Sequence, residues 1–430
     1  MLPPPDADLV AREPDLPGLA AVLDADAFAE ILRAQVPGAR IQGARATYLH
    51  YKPGTFCLVD YAVQADGHTV DAYGIAHRLD AAIKLRNAEE KGQVAGPFRV
   101  GRFVVEDLSL IVSFFPNDRR LRTLPALVDE KRRRRLFQKI FLEHPDMWEA
   151  SVETIRYRPE RRYSARLVVG GRPRAVLKVY GAEDYGIAAR GAKALRSAPP
   201  LRVPRRIAKS NGRHVLAFDW LEGRLLEEAL LDARLDAAAF ERVGRALAAL
   251  HAQDGSRLPV RNRDTEAASL LHVAADLGVL WPPLARRAWD IARSVADGIL
   301  RGPDTLAPIH GDFQAEHVLL SEAEVRVVDL DEAARGNPAI DLGNFFAHLE
   351  LDGIRGILDA GRIEAYCEAL LAGYDPTLKG QAVVATAAGL LRLAIDPFRD
   401  REPNWPETMQ AILRRAEGLI GHRRNIEATP

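Results

Sequence analysis

The chain has 430 residues, enough for two or three domains of ordinary size. Apolar residues make up 47% and charged residues 27%, a soluble globular composition, and 59 Lys and Arg balance 59 Asp and Glu. A formal net charge of zero argues against a nucleic-acid or anionic-membrane partner, and two distant cysteines exclude a disulfide framework or a zinc knuckle. Cys57 and Cys367 are expected to be small buried hydrophobes in a reducing cytoplasm.

The chain opens on "MLPPPDADLVAREPDLPG", proline-rich and acidic. It lacks a basic stretch followed by an apolar run, so it does not read as a signal peptide. No apolar stretch approaches the roughly 20 residues that span a bilayer. Residues 1–40 therefore read as an N-terminal extension. Two similar segments follow. Tyr51-Lys52-Pro53 is echoed by Tyr157-Arg158-Pro159, "PFRVGR" at Pro97–Arg102 by "PLRVPR" at Pro200–Arg205, and "LIVSFF" at Leu110–Phe115 by "VLAFDW" at Val215–Trp220. The offsets of 106, 103 and 105 residues keep order and spacing, which points to a duplicated unit.

Each copy begins with alternating apolar and polar residues, "YLHYKPGTFCLVDYAV" and "IRYRPERRYSARLVV", which predict strands. A turn (Asp66-Gly67; Gly170-Gly171) and another strand follow. Then comes a helical stretch, "DAAIKLRNAEEKG" or "YGIAARGAKALRSA", and a short closing strand. Between the copies, the basic run Lys131–Arg135 reads as a solvated helix face. From about Leu235 apolar residues recur at helical spacing, as in "DAAAFERVGRALAALHAQ", "AASLLHVAADLGVL" and "PPLARRAWDIARSVADGIL". The strand signals "LAPIHGD", "HVLL" and "EVRVVDL" sit inside this helical half, and "QAVVATAAGLLRLAI" and "PETMQAILRRAEGLIG" close it. The predicted segments are thus 1–40, 41–145, 146–222 and 223–430.

Phosphoryl transfer needs a group that orients the attacking hydroxyl, a cation for the phosphates and oxygen ligands for a divalent ion. The second half supplies candidates in that order. Lys178 is the one cation in the apolar strand "AVLKVY"; the first copy has Gly74 or a neighbour at the matching place. "VLAFDWLEG" leads from a strand into a connector, where the backbone of Asp219 and Leu221 could meet an adenine ring. "HGDFQAEH" places Asp312 two residues after His310 and five before His317. Asp329 ends a strand twelve residues later, so two ligands from neighbouring loops could converge on one metal. Asp341 opens the next helix; it could cap that helix or reach back to support the loop together with His310.

These residues resemble the aminoglycoside phosphotransferase and choline kinase superfamily, which shares the protein-kinase fold. The resemblance runs from about Val152 to the C-terminus and is carried by "HGDFQAEHVLL", "VVDLDEAARGNPAIDLGNF" and Lys178. It implies an α+β, bilobal fold with a small antiparallel-sheet N-lobe and a mainly helical C-lobe. It also implies ATP- or GTP-dependent phosphorylation of a hydroxyl on a small molecule. Asp312 would be the catalytic base, Asp329 the principal ligand of Mg²⁺ or Mn²⁺, and Lys178 a contact to the nucleotide phosphates. The chain further resembles maltokinase-like and glucosamine-kinase-like sugar kinases, which carry an extra N-terminal cap. Here the cap would be the first, degenerate copy of the N-lobe, and the acceptor a sugar or amino sugar.

The sequence departs from the family in three places. His317 stands where Asn or Gln is usual; it could ligate Mg²⁺ or Mn²⁺, act through a water, or have no metal role. Gln314 stands where His is common. No acidic partner for Lys178 lies near Ala194, and Glu183 and Asp184 are too close to the helix start. The alternative reading is a nucleotide- or sugar-binding protein without transfer activity. A protein kinase is disfavoured because no Gly-x-Gly-x-x-Gly precedes Lys178 and no long segment separates Asp329 from Asp341. The expected partners are nucleotide and acceptor, without nucleic acid or membrane, in the cytoplasm. The acceptor would lie near the helices after Asp341, where His348, Glu350 and Asp352 are close together.

Overall fold

The structure is a computed structural model that describes residues 2–81, 83–86 and 94–427, the side chains of 422–427 excepted. Its first half is set by two runs of alternating residues. β1 (Ile41–Lys52), β2 (Phe56–Ala65), β3 (His68–His77), β4 (Arg102–Val105) and β5 (Leu110–Phe114) form an antiparallel sheet in the order β1-β2-β3-β5-β4. β6 (Ser151–Arg158), β7 (Arg162–Val169), β8 (Arg172–Tyr180), β10 (Arg206–Ser210) and β11 (Val215–Asp219) repeat that order as β6-β7-β8-β11-β10, while β9 (Leu201–Arg202) pairs elsewhere.

The likeness extends to single hydrogen bonds. The last N–H of β3, on His77, donates to the carbonyl of Ser109 at 2.9 Å; that of β8, on Tyr180, donates to the carbonyl of His214 at 3.0 Å. Ser109 (φ 45°) and His214 (φ 52°) are both left-handed and each follows a 3₁₀ turn. Each copy therefore closes with a two-stranded hairpin rather than the single strand expected. The first copy's turn, Glu106–Ser109, carries no glycine or proline punctuation, while the second holds Asn211-Gly212, a hairpin signal the sequence reading passed over. With these landmarks the counterpart of Lys178, two residues before Tyr180, is Ile75, two residues before His77. Ile75 packs with Leu58 and Tyr73 in an apolar cluster. The helix read across Asp80–Gly92 lies largely outside the described residues; its counterpart in the second copy is α6 below.

Residues 1–40 are more than an extension. α1 (Pro4–Arg12), α2 (Leu19–Leu23) and α3 (Ala25–Gln35) cover one face of the first sheet. Phe28 stacks on Tyr61 at 3.8 Å, and the Tyr61 hydroxyl donates to the Val22 carbonyl. A Cβ on Gly74 would stand 3.0 Å from the Phe28 ring and 3.3 Å from Val22, so the close approach of α2 and α3 uses the missing side chain. Phe28, Val22, Leu19 and Leu32 are fully buried, each stabilising by about 1.5–3 kcal/mol.

Between the sheets run α4 (Leu124–Val128) and α5 (Glu130–Ile140); four of the five residues of the basic run Lys131–Arg135 are exposed. The join is a buried carboxylate. Asp118 accepts the N–H groups of Arg120 and Leu121, both at 2.8 Å, and on its other oxygen the Tyr157 hydroxyl at 2.9 Å and the Glu160 N–H at 2.8 Å. Arg119 forks onto Glu160 with two 2.8 Å bonds. The compact units thus cut the chain differently from the four segments read in the sequence. Met1–Ala182, Ala208–Ala217 and Asp396–Pro406 form one unit holding both sheets; the remainder forms the other.

The second unit contains α6 (Ala182–Ala194) almost whole, with β9, β12 (Arg224–Leu225), β14 (Val318–Leu320) and β15 (Val325–Val327) in a sheet of order β12-β14-β15-β9. β13 (Ala307–Ile309) pairs with β16 (Ala334–Gly336). Around them lie α7 (Leu226–Leu230), α8 (Ala238–His251), α9 (Arg263–Leu280), α10 (Ala285–Arg301), α11 (Ala339–Ile354), α12 (Ala360–Tyr374) and α13 (Lys379–Leu393). After α14 (Asp396–Arg399), which belongs to the first unit, α15 (Trp405–Glu427) ends the chain. Phe240 stacks on Tyr366 at 4.0 Å at the centre of the core. One helical run, Pro376–Arg399, is long and apolar enough to cross a membrane by length and composition, contrary to the sequence reading. Its Arg392 pairs with buried Glu266 at 2.5 Å inside the protein. Cys57 is buried, whereas Cys367 is only half-buried.

Asp118→Ala leaves the Leu121 and Glu160 N–H groups buried without acceptors. It is expected to cost about 3 kcal/mol, read as a lower urea midpoint.

Candidate active site

β13 delivers the sequence His310-Gly311-Asp312-Phe313 to the site. Gly311 has φ 85°, and a Cβ there would lie 2.2 Å from the Glu332 carbonyl oxygen, so no other residue fits. Phe313 is fully buried and anchors the loop, its ring 5.4 Å from that of Phe345.

The loop hangs from one carboxylate. Asp341, in the first turn of α11, is wholly buried. Its Oδ2 accepts the His310 N–H at 2.7 Å and its Oδ1 the Gly311 N–H at 2.8 Å. His251 Nε2 lies 2.9 Å from the same Oδ2, and His251 Nδ1 lies 2.8 Å from the Tyr374 hydroxyl. Nε2–H donation to the carboxylate leaves Nδ1 to accept from the tyrosine. Burial alone would raise the Asp341 pKa; the bond from His251, nearby imidazoles and the His310 N–H outweigh it and hold the carboxyl below its ordinary value. Asp341 thus binds the loop, the second of the two roles open in the sequence. His251 and Tyr374 escaped the sequence reading. The one signal was a lone imidazole ending the Ala- and Leu-rich helix α8.

Two imidazoles tie the loop to the strand end that carries Asp329. His310 is fully buried; its Nε2 donates to the Val328 carbonyl at 2.8 Å and its Nδ1 accepts the Asp312 N–H at 3.3 Å. That pattern requires a neutral ring, and burial, with His317 beside it, pushes its pKa down. The His317 ring lies 5.4 Å away at 21°. Its Nδ1 donates to the Asp312 carbonyl at 2.8 Å, while Nε2 faces Glu316 at 3.3 Å and Asp329 at 3.8 Å. Burial opposes its charge, yet Glu316, Asp329 and Asp312 outweigh it and lift the pKa to about 9. These partners draw His317 toward the charged imidazolium form, facing Glu316 and Asp329. Glu316 is a further site residue the sequence reading missed.

Asp329 is left-handed (φ 63°), a conformation Asp tolerates better than most residues. Gln314 Nε2 donates to Glu316 at 3.0 Å. The carboxylates of Asp312, Glu316 and Asp329 are hard oxygen donors suited to Mg²⁺ or Mn²⁺. Among the described residues no three His, Cys, Asp or Glu side chains form a ready-made cage.

The other expected residues lie as follows. Lys178 is buried in β8 of the first unit, opposite Ser164 of β7. Asp219 donates its N–H to the Arg205 carbonyl at 2.9 Å. Leu221 is half-buried in the turn after β11. Asn344, one turn after Asp341, donates to the Gly311 carbonyl at 3.2 Å, and His348 follows one turn later. Burial pushes His348 down to about 4 against the pull of Asp312 and Glu316. Glu350, expected beside it, is engaged elsewhere by a forked bond from Arg415 at 2.7 and 2.6 Å. Burial raises Asp352 to about 6.

The family model of the phosphotransferase enzyme family, APH, matches residues 160–378, just over half of the chain. The chain belongs to the phosphotransferase enzyme family. As a member it is an ATP-dependent small-molecule phosphotransferase, moving phosphate to a hydroxyl. No curated protein matches it. Among solved structures it is similar to a thermostable mutant of aminoglycoside phosphotransferase APH(4)-Ia in complex with ADP and hygromycin B (16% identity, TM-score 0.47, covering 67% of this chain and 97% of that one). It is also similar to a choline/ethanolamine kinase family protein from Mesorhizobium loti (18%, TM-score 0.43, 63% and 87%). A third is macrolide 2'-phosphotransferase from Brachybacterium faecium (20%, TM-score 0.41, 61% and 91%).

Asp341→Ala strands two loop N–H groups and His251; it is expected to cost about 3–5 kcal/mol and to abolish turnover, checked by denaturation and ADP release. The His317 charge gives a pH signature. Its folded pKa, about 9, lies above the unfolded 6.5, so its stabilisation is complete below pH 6.5 and lost as pH rises through 9. Thermal midpoints of the metal-free protein should fall across that window by more than those of His317→Asn.

Proposed function

We propose that Asp312 is the base that orients the acceptor hydroxyl, and that Asp329 with Glu316 would hold a divalent ion. The hydroxyl oxygen attacks the γ-phosphorus of ATP, its proton passes to the Asp312 carboxylate, and ADP leaves. When bound, the ion would neutralise charge developing on the phosphates. The observation that carries the reading is the double hold of Asp341 on the N–H groups of His310 and Gly311. That hold fixes the backbone next to Asp312 before any substrate arrives.

His317 supports the same reading in two ways. Its Nδ1 bond to the Asp312 carbonyl braces the base residue, and its Nε2 faces the carboxylates that would take the ion. The phosphate-binding role of Lys178, the adenine-binding role of Asp219 and Leu221, and Mg²⁺ rather than Mn²⁺ rest on the sequence pattern. A sugar-like polyol is the proposed acceptor, in the cytoplasm.

The test is ADP release with Mg²⁺ or Mn²⁺, with ATP against GTP, over a panel of sugars, sugar derivatives and aminoglycosides. Asp312→Asn is expected to lower kcat by about 10²–10⁴-fold while nucleotide affinity stays within about twofold, because the base acts in the transition state. Loss of nucleotide binding in that variant, or undiminished kcat, would show the role to be wrong.

A further inference from the structure

A cavity of about 1000 Å³ opens in the second unit between α9, α10, α11, α13 and α15. That is the upper end of the size of small-molecule sites. Asp312, Glu316, His317, Asp329 and His348 are not among its lining residues, so the cavity is a space separate from the carboxylates of the reaction loop. Its wall touches that loop at the Gly311 carbonyl, where Asn344 donates at 3.2 Å and Arg261 Nη1 stands at 3.5 Å. Ile299, Ile340, Val383 and Val384 make part of the wall apolar. An apolar wall with a few fixed polar groups is the usual make-up of a small-molecule site.

The charge of the cavity is lopsided. Six cations stand in its lining against two acids, Glu266 and Asp304. Two of the cations are neutralised from outside the lining, Lys379 by Glu368 at 3.5 Å and Arg415 by Glu350. Arg261 and Arg392 grip one and the same carboxylate, Glu266, at 2.7 and 2.5 Å. Glu266 is 3% exposed, and one carboxylate balances only one of the two guanidiniums. The Arg392 pKa carries the mark of that imbalance. Burial lowers it, Glu266 raises it and Arg261 lowers it again, and the result is below the ordinary value. Arg263 spends its Nη1 on neutral acceptors, the Leu300 and Gly302 carbonyls, at 3.3 and 3.4 Å. Arg301 is exposed, with no carboxylate in ion-pair distance among the described residues. Exposed Asp304 offsets one charge, and a surplus of two positive charges remains.

We propose that this cavity is a second ligand site, separate from the phosphoryl-transfer loop, and that it takes an organic phosphate monoester. A phosphate monoester carries a charge of about −1.5 to −2 at neutral pH, which matches the surplus, whereas a single carboxylate matches half of it. Guanidinium groups present their N–H donors in a fork that fits phosphate oxygens. The isoleucines and valines of the wall suit an organic body rather than a bare ion. Arg261 and Arg392 are held in one geometry by Glu266 before the ligand arrives, so few rotamers are lost on binding. Each charge-assisted hydrogen bond to the phosphate then favours it over a neutral analogue by about tenfold to a hundredfold in affinity. The site stands whichever role Asp312 has in the reaction.

Phenyl phosphate, benzoate, phenol and inorganic phosphate, titrated calorimetrically into the full chain saturated with Mg²⁺ and the ATP analogue AMP-PNP, test this. Filling the nucleotide site first keeps a phosphate probe from reporting on it. Phenyl phosphate is expected to bind at least about tenfold more tightly than benzoate, with phenol weaker still and the advantage shrinking with salt. Inorganic phosphate should bind at least about tenfold more weakly than phenyl phosphate, because it leaves the apolar wall unused. Arg301→Gln should weaken phenyl phosphate about tenfold without shifting the urea midpoint. Val384→Trp should weaken it by filling the cavity, and neither substitution should change the affinity for AMP-PNP. Three results overturn the inference: no binding of phenyl phosphate to the AMP-PNP-saturated chain, equal binding of benzoate or phenol, or binding undiminished in both variants. Each of them leaves the phosphotransferase reading standing.

Discussion

The His310–Phe313 loop depends on the burial of one charge. Asp341 has no exposed surface, and a carboxylate in that position is costly unless its oxygens are satisfied. They are satisfied by two consecutive backbone N–H groups and one imidazole. Those two N–H groups belong to the residues before Asp312, so satisfying Asp341 and fixing the loop are the same event. The left-handed Gly311 follows, since only that conformation presents both N–H groups while clearing the Glu332 carbonyl. Tyr374 of α12 orients His251 from behind, which ties the loop to the helical core as well as to α11.

A second layer of constraint runs through His310 and His317. One ring is neutral and the other charged, although they lie 5.4 Å apart. The difference follows from their partners. His310 meets a carbonyl acceptor on one nitrogen and an N–H donor on the other, so a second ring proton has no place. His317 meets a carbonyl on one side and two carboxylates on the other, so both ring nitrogens are drawn to protonation. The positive ring also discourages protonation of its neighbour. The alternation stitches the Val328–Asp329 segment to the loop.

Much of this was legible in the sequence, and the limits are physical. The His-Gly-Asp spacing, the strand-terminal Asp329 and the helix-opening Asp341 lie in short local patterns whose order reveals chemistry. The repeat was legible from three echoes, and the matching strand orders and the paired Ser109 and His214 turns agree with it. What stayed hidden depends on contacts distant in the chain. His251 lies 90 residues from Asp341, and a lone imidazole ending an apolar helix was its one signal. Glu316 looked like an ordinary loop acid until its neighbours were placed. Asp118 joined two sheets that local pattern had assigned to separate domains.

Three buried carboxylates show how the same side chain serves different ends according to its donors. Asp118 takes one hydroxyl and three backbone N–H groups; its bonds are directional and fix how two sheets meet. Asp341 takes two backbone N–H groups and an imidazole, and so sets the geometry of a loop. Glu266 is different, because both its partners are permanent cations. Directional needs are met there too, but charge is not: two guanidiniums around one carboxylate leave a positive excess that no rotation of side chains removes.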